Sequence, residues 1–195
     1  AALQLYEGGQ LDIDAPVDTY LAELAGLKKL TGFDDSGKPI LVSPRRKPTV
    51  RELMSHTSGF VYSMWNRNAM VAEEAGLTGD LLAGKEMIVN APIAFEPGTD
   101  WEYGIGTDWL GVIVEEVSGL TLAEYFDKNI FDPLQMKDSF YEIPEHKIER
   151  VAHLLFRDDA NTTFKFLSLF SEGDLVEIPL MSAPRATAKY SSSHY

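Results

Sequence analysis

The 195 residues contain no cysteine. That excludes disulfides, thiolate zinc sites and a cysteine nucleophile, and is compatible with any compartment. Basic residues are scarce, 17 Lys and Arg against 30 Asp and Glu, for a net charge of -13. Such a balance repels phosphate backbones and argues against nucleic acid and anionic membrane surfaces as partners. There is no run of about 18 apolar residues to span a membrane and no signal-peptide pattern. No G-x-S-x-G elbow occurs, which removes the ordinary α/β-hydrolase reading. An initiator Met is also lacking, and the helical pattern Ala1-Ala2-Leu3-Gln4-Leu5 starts without a cap, so further sequence is expected upstream. What is present is ordinary for a soluble domain: 45% hydrophobic and 24% charged residues, enough for one core or a large piece of a bigger one.

The chain is organised around Phe95 to Gly119, FEPGTDWEYGIGTDWLGVIVEEVSG. Glu96-Pro97-Gly98-Thr99 has Pro second and Gly third, the arrangement of a type II turn. Leu110, Ile113, Val114 and Val117 recur at helical spacing, and Gly119 stands as the C-terminal stop. Between turn and helix lie Trp101 and Tyr103, then the flexible Gly104-Ile105-Gly106. From these residues alone, Tyr103 is either a half-buried core aromatic or a polar side chain delivered to a cleft.

Elsewhere, Pro16 to Leu24 is expected as a short helix closed by Gly26, with aspartates of the preceding connector as caps. Asp34-Asp35-Ser36-Gly37 reads as a hairpin turn, and Arg45-Arg46-Lys47 as a solvated loop. Thr49-Val50-Arg51-Glu52 is a capping box opening a helix that stops at Ser58-Gly59, and Thr121-Leu122-Ala123-Glu124 is a second whose helix ends before Pro133. Met64 to Asn90 looks helical but broken by glycines. Ser139 to Ile143, Val151 to Phe156 and Thr163 to Leu169 lean towards strand. Ser182 to Tyr195 is small, polar and aperiodic, and is expected to be disordered.

Three patterns invite chemistry and fall short of it. Gly79 to Lys85 has P-loop spacing, but Glu86 replaces the magnesium-binding Ser or Thr. Glu145, His146, Glu149 and His153 fit a charged surface better than a zinc site, because Pro144 and the strand-leaning residues after Arg150 interrupt one long helix. His56 stands beside Ser55, Thr57 and Ser58, but neighbours on a helix end do not face each other, so a histidine capping backbone carbonyls is expected. No metal and no cofactor are expected.

Leu5 to Leu24 (LYEGGQLDIDAPVDTYLAEL), Thr49 to Gly59 (TVRELMSHTSG) and Phe95 to Gly119 together resemble, in order and spacing, the serine β-lactamase-like family. Within it they are most similar to family VIII carboxylesterases and related acyltransferases of the class C β-lactamase fold. Leu122 to Met136, ending FDPLQM, resembles the helix that follows there. The resemblance covers about Leu3 to Met136, and several motifs agreeing in order are more specific than any one. It implies an α+β fold, specifically the mostly helical subdomain of the class C β-lactamase and DD-peptidase-like fold, with a few antiparallel strands and the terminal sheet strands missing. The expected layout is a helical subdomain over 1–137 carrying the tyrosine motif, a β-leaning connection over 138–181 and the tail 182–195.

The resemblance also implies an acyl-enzyme mechanism: a serine in S-x-x-K attacks an ester or lactam carbonyl, and the motif's lysine and a tyrosine manage the proton. Tyr103 matches that tyrosine. A phenol titrates near 10 in water and serves as a base when a nearby cation favours its ionised form. S-x-x-K occurs nowhere in this sequence and is expected upstream of Ala1; the family's C-terminal K-T-G or H/W-x-G is absent too. The penicillin-recognising relatives carry Y-x-N where this chain has Tyr103-Gly104-Ile105, which leans towards small-molecule esters over β-lactams. Trp101, Gly104 and Ile105 are the expected substrate-binding residues, with Trp109 in the core. The competing expectation is a non-catalytic binding or scaffold protein that keeps the cleft helices without the nucleophile.

Overall fold

The computed structural model describes residues 1–78 and 90–151, and the backbone of three short strands beyond them. Helix α1 (Ala2–Glu7) turns Ala2 and Leu5 into the core and ends at Gly8. The helix expected over Pro16 to Leu24 is instead two 3-10 turns, Val17–Thr19 and Ala22–Gly26. Leu21 between them is extended, with φ -121° and ψ 95°. The Tyr20 hydroxyl draws this segment back by accepting the Asp12 N–H at 2.8 Å. The Asp12 carboxylate accepts from Asp14 N–H in a local turn and caps no helix.

Strands β1 (Lys29–Phe33) and β2 (Pro39–Val42) form an antiparallel hairpin. Its turn is held by Asp34, whose Oδ1 accepts the N–H groups of Ser36 and Lys38, with Gly37 at φ +80°. A lone two-stranded hairpin is marginal in water. Here Leu30 N–H donates to Ile93 O and Ile93 N–H to Lys28 O, both at 2.9 Å, tying the hairpin to the chain just before the central stretch.

Thr49 and Glu52 form the reciprocal capping box and open α2 (Val50–Met54). Five residues cannot sustain a helix alone; Val50 and Leu53 are wholly buried and lock it to the core. The helix ends at Met54, short of the expected stop at Ser58-Gly59, because His56 takes φ +56°, a left-handed conformation that ends the repeat. Asn66 caps α3 (Arg67–Glu74) through the Ala69 N–H.

The longest helix among the described residues is α4 (Gly106–Ser118), and it ends as expected on Gly119 in the left-handed conformation. It buries Trp109, Val112, Ile113 and Val114 and packs against α1 and α2. A fully buried aliphatic side chain contributes about 1.5–3 kcal/mol, and this helix supplies three, Val112, Ile113 and Val114, beside Trp109. Gly106 permits its close approach, since a Cβ there would stand 2.8 Å from Leu53 O. The second capping box, Thr121 with Glu124, opens α5 (Leu122–Phe126), which runs into a π-helical turn, Asp127–Phe131, and ends before Pro133.

Residues from Ala1 to Ser139 form one unit, and a second begins at Phe140. The expected strand over Ser139 to Ile143 is absent. Pro144 opens a 3-10 helix, Glu145–Arg150, directly after it, and Ser139 to Ile143 pair with no strand. Three short antiparallel strands follow in the order β3 (Leu155–Arg157), β4 (Phe164–Phe166), β5 (Val176–Glu177). The fold is thus α+β, with α1, α2 and α5 packed on α4 and the strands in small separate sheets. The P-loop-like residues 79–85, His153 and the tail from Ser182 lie outside the described residues.

Candidate active site

The site begins with the expected turn. Thr99 N–H donates to Glu96 O at 3.1 Å and Gly98 has φ +79°, as a type II turn requires. The turn is fastened from three directions. Arg46 donates to Pro97 O at 2.7 Å and forks onto the Glu52 carboxylate of α2, with Nη1 to Oε2 also 2.7 Å. Glu96 accepts from the Arg45 backbone N–H and from Lys29 of β1. Lys29 and Arg45 therefore hold the Glu96 carboxyl below its ordinary range. The basic run is not merely a solvated loop. A Cβ on Gly98 would lie 2.7 Å from Glu52 Oε1 and 2.8 Å from Arg46 Nη2 and push both side-chain tips aside, and the φ of +79° already favours glycine there.

Beyond the turn the chain runs over the end of α2. Glu102 N–H donates to His56 O at 3.1 Å, and the Glu102 carboxylate accepts from the Asn66 side chain at 3.1 Å. Gly104 then lies flat on the backbone of Phe60 and Val61: a Cβ there would meet Phe60 O at 2.3 Å and Val61 Cα at 2.4 Å. Ile105 is 3% exposed, inside the core, and Trp109 is fully buried beneath it, its ring 6.1 Å from that of Phe60. This buried platform carries two exposed aromatics, Trp101 at 60% and Tyr103 at 50%.

The Tyr103 ring packs on His56, with centroids 4.7 Å apart, and on Tyr62, 5.5 Å apart. Trp101 meets the His56 ring edge-on at 6.3 Å. His56 is thus a packing partner of the two aromatics; among the described residues its buried Nδ1 has no hydrogen-bond partner, so that nitrogen caps none of their carbonyls as expected. The Tyr62 hydroxyl donates to Asp108 Oδ2 at 2.9 Å. Burial pushes the Asp108 carboxyl above its usual range, an effect the Tyr62 bond only partly offsets.

Of the residues singled out from sequence, Trp101 and Tyr103 stand together at the surface, while Gly104 and Ile105 form the floor beneath them. Tyr62, Asp108, Asn66 and Glu102 were not found by sequence reasoning. Tyr62 and Asp108 are 46 positions apart and share no local pattern; the one available signal was an aspartate in the first turn of a helix. Among the described residues no three His, Asp or Glu side chains converge as metal ligands.

Residues 1–169 match the Beta-lactamase family. A lovastatin esterase of Penicillium rubens is 39% identical over 146 residues, covering 73% of this chain and 37% of that protein. A monacolin J acid methylbutanoyltransferase of Aspergillus terreus is 32% identical over 171 residues, covering 85% of this chain and 41% of that protein. Among solved structures, a mutant simvastatin synthase of Aspergillus terreus superposes with a TM-score of 0.76 at 32% identity, over 85% of this chain and 39% of that one. The chain spans about two fifths of the length of these relatives.

Proposed function

The chain belongs to the Beta-lactamase family, and from that membership we propose that it is part of a serine carboxylesterase or acyltransferase acting on short acyl esters, with Tyr103 as its general base. The observation that carries this reading is the pairing of an exposed phenol with a rigid, buried seat. Tyr103 is half exposed, while Gly104 and Ile105 beside it cannot move without displacing the Phe60-Val61 backbone or the core. A positioned base needs that combination: an accessible atom on an element that does not yield. The esterases and acyltransferases among the relatives lend support.

In the proposed reaction a serine hydroxyl attacks the ester carbonyl as its proton passes to the Tyr103 oxygen. The tetrahedral intermediate collapses to an acyl-serine, and the alcohol leaves with that proton. Water then releases the acid in an esterase; a second alcohol takes the acyl group in a transferase. The serine and its lysine are supplied from beyond these 195 residues, none of which form S-x-x-K. Trp101 flanks the acyl group. Ile105, apolar and core-bound, offers no side-chain amide to a lactam, which favours ester over β-lactam substrates.

Intact mass after exposure to a fluorophosphonate, beside a short-chain nitrophenyl ester assay, tests the division of labour. This chain alone should take no label and turn over no ester, while a longer polypeptide that includes an S-x-x-K segment should do both. A covalent label on the 195-residue chain would place the nucleophile within it and overturn the proposal.

A further inference from the structure

Tyr62 lies outside the stretches that carry the family resemblance and Asp108 inside one of them, Phe95 to Gly119, and the two meet beside Tyr103. Asp108 stands in the first turn of α4, where the helix dipole favours a carboxylate. A carboxylate kept there only for the dipole does best in water. This one is partly buried, at a cost that raises its pKa, and its side chain accepts the Tyr62 hydroxyl at 2.9 Å. The Tyr62 ring in turn lies 5.5 Å from Tyr103. Against Tyr103 also packs His56, at 4.7 Å, whose carbonyl is fixed by the Glu102 N–H.

We infer that the Tyr62–Asp108 hydrogen bond is a positioning device for Tyr103: Asp108 fixes the Tyr62 ring, and that ring, together with His56, fixes the phenol. Neither residue touches the reacting atoms. Two rings packed on one phenol restrict its χ1 and χ2 only as far as they are themselves held. His56 is held by its backbone, and Tyr62 by its packing against the core and by the bond to Asp108. Loss of the hydroxyl or of the carboxylate breaks the same bond, so the two losses are one event and should not add.

The inference rests on the proposed function only for its effect on turnover; the ring position is read directly. In the 195-residue chain, 3-fluorotyrosine placed at position 103 reports the ring by 19F NMR. A second label at Tyr20, whose hydroxyl accepts the Asp12 N–H, reports whether the fold is intact. Tyr62→Phe and Asp108→Ala should each move the position-103 resonance towards its unfolded-chain value, and the double variant should move it no further. Asp108→Asn, which keeps an acceptor, should stay near the parent. If Asp108→Ala unfolds the chain, Tyr62→Phe, which loses one hydroxyl only, decides alone. An unmoved position-103 resonance with the Tyr20 signal intact, or additive shifts, overturns the inference. Unchanged turnover in Tyr103→Phe would remove the base and leave this result standing.

Discussion

Gly104→Ala is the sharpest perturbation the site allows. The added methyl would start 2.3 Å from Phe60 O, 2.4 Å from Val61 Cα and 2.7 Å from Phe60 C, all backbone atoms that cannot rotate aside. Restoring an ordinary contact near 3.4 Å needs a displacement of about 1 Å, borne by the Tyr103 loop or by the Phe60-Val61 segment. Overpacking costs about 1–3 kcal/mol; with only backbone to push against, about 3 kcal/mol is expected. At about 2–4 °C per kcal/mol for a chain of this size, the melting temperature should fall by about 6–12 °C. Gly26→Ala is the matched control, with nothing within 4 Å of its added methyl and an expected change within about 0.5 kcal/mol. Thermal unfolding followed by circular dichroism reads both. A Gly104→Ala melting point indistinguishable from that of Gly26→Ala would refute the platform. Where activity is also measured, a shift of about 1 Å at the base can cost on the order of 10²-fold in rate.

Two further outcomes follow from the clamp around Glu52. Thr49→Ala removes the side-chain half of the capping box and should cost about 1 kcal/mol, read from the urea midpoint at unchanged slope. Burial pushes the Glu52 carboxyl up, but the hydrogen bonds from Arg46 and Thr49 outweigh it and leave the carboxyl below its ordinary 4.5. A depressed folded-state pKa gives stability that is full above the unfolded value and lost as pH falls through the folded one. Urea midpoints should therefore drop below about pH 4.5, and Glu52→Gln should flatten that part of the profile; an unchanged acid limb in the variant would show that the clamp is not what titrates.

The parts of the fold legible in sequence are those written in a few adjacent residues. Both capping boxes, the Glu96 to Thr99 turn, the hairpin turn at Asp34 to Gly37 and the Gly119 stop stand as read, because each is a local contest of hydrogen bonds and φ angles. Tertiary contacts decided what did not. The 3-10 turns over Val17 to Gly26 replace a helix because Asp12 and the Tyr20 hydroxyl hold the segment back. His56 ends α2 early, in a conformation rare outside glycine, where its carbonyl meets the Glu102 N–H. Arg46 clamps the central turn through Pro97 O, 51 positions away. The tyrosine was legible through its neighbours; the Tyr62–Asp108 support behind it, spanning 46 positions, was not.

The central claim is that the Tyr103 oxygen takes the nucleophile's proton. The direct test is steady-state hydrolysis of a short-chain nitrophenyl ester by the longer S-x-x-K-containing polypeptide, with and without Tyr103→Phe. Phenylalanine keeps the ring on His56 and Tyr62 and removes only the hydroxyl. The account predicts a fall in kcat of about 10²–10⁴-fold, the range that loss of a general base costs, with KM little changed. A kcat within about twofold of the parent would contradict it, since a base worth less than 0.5 kcal/mol at the transition state is no base.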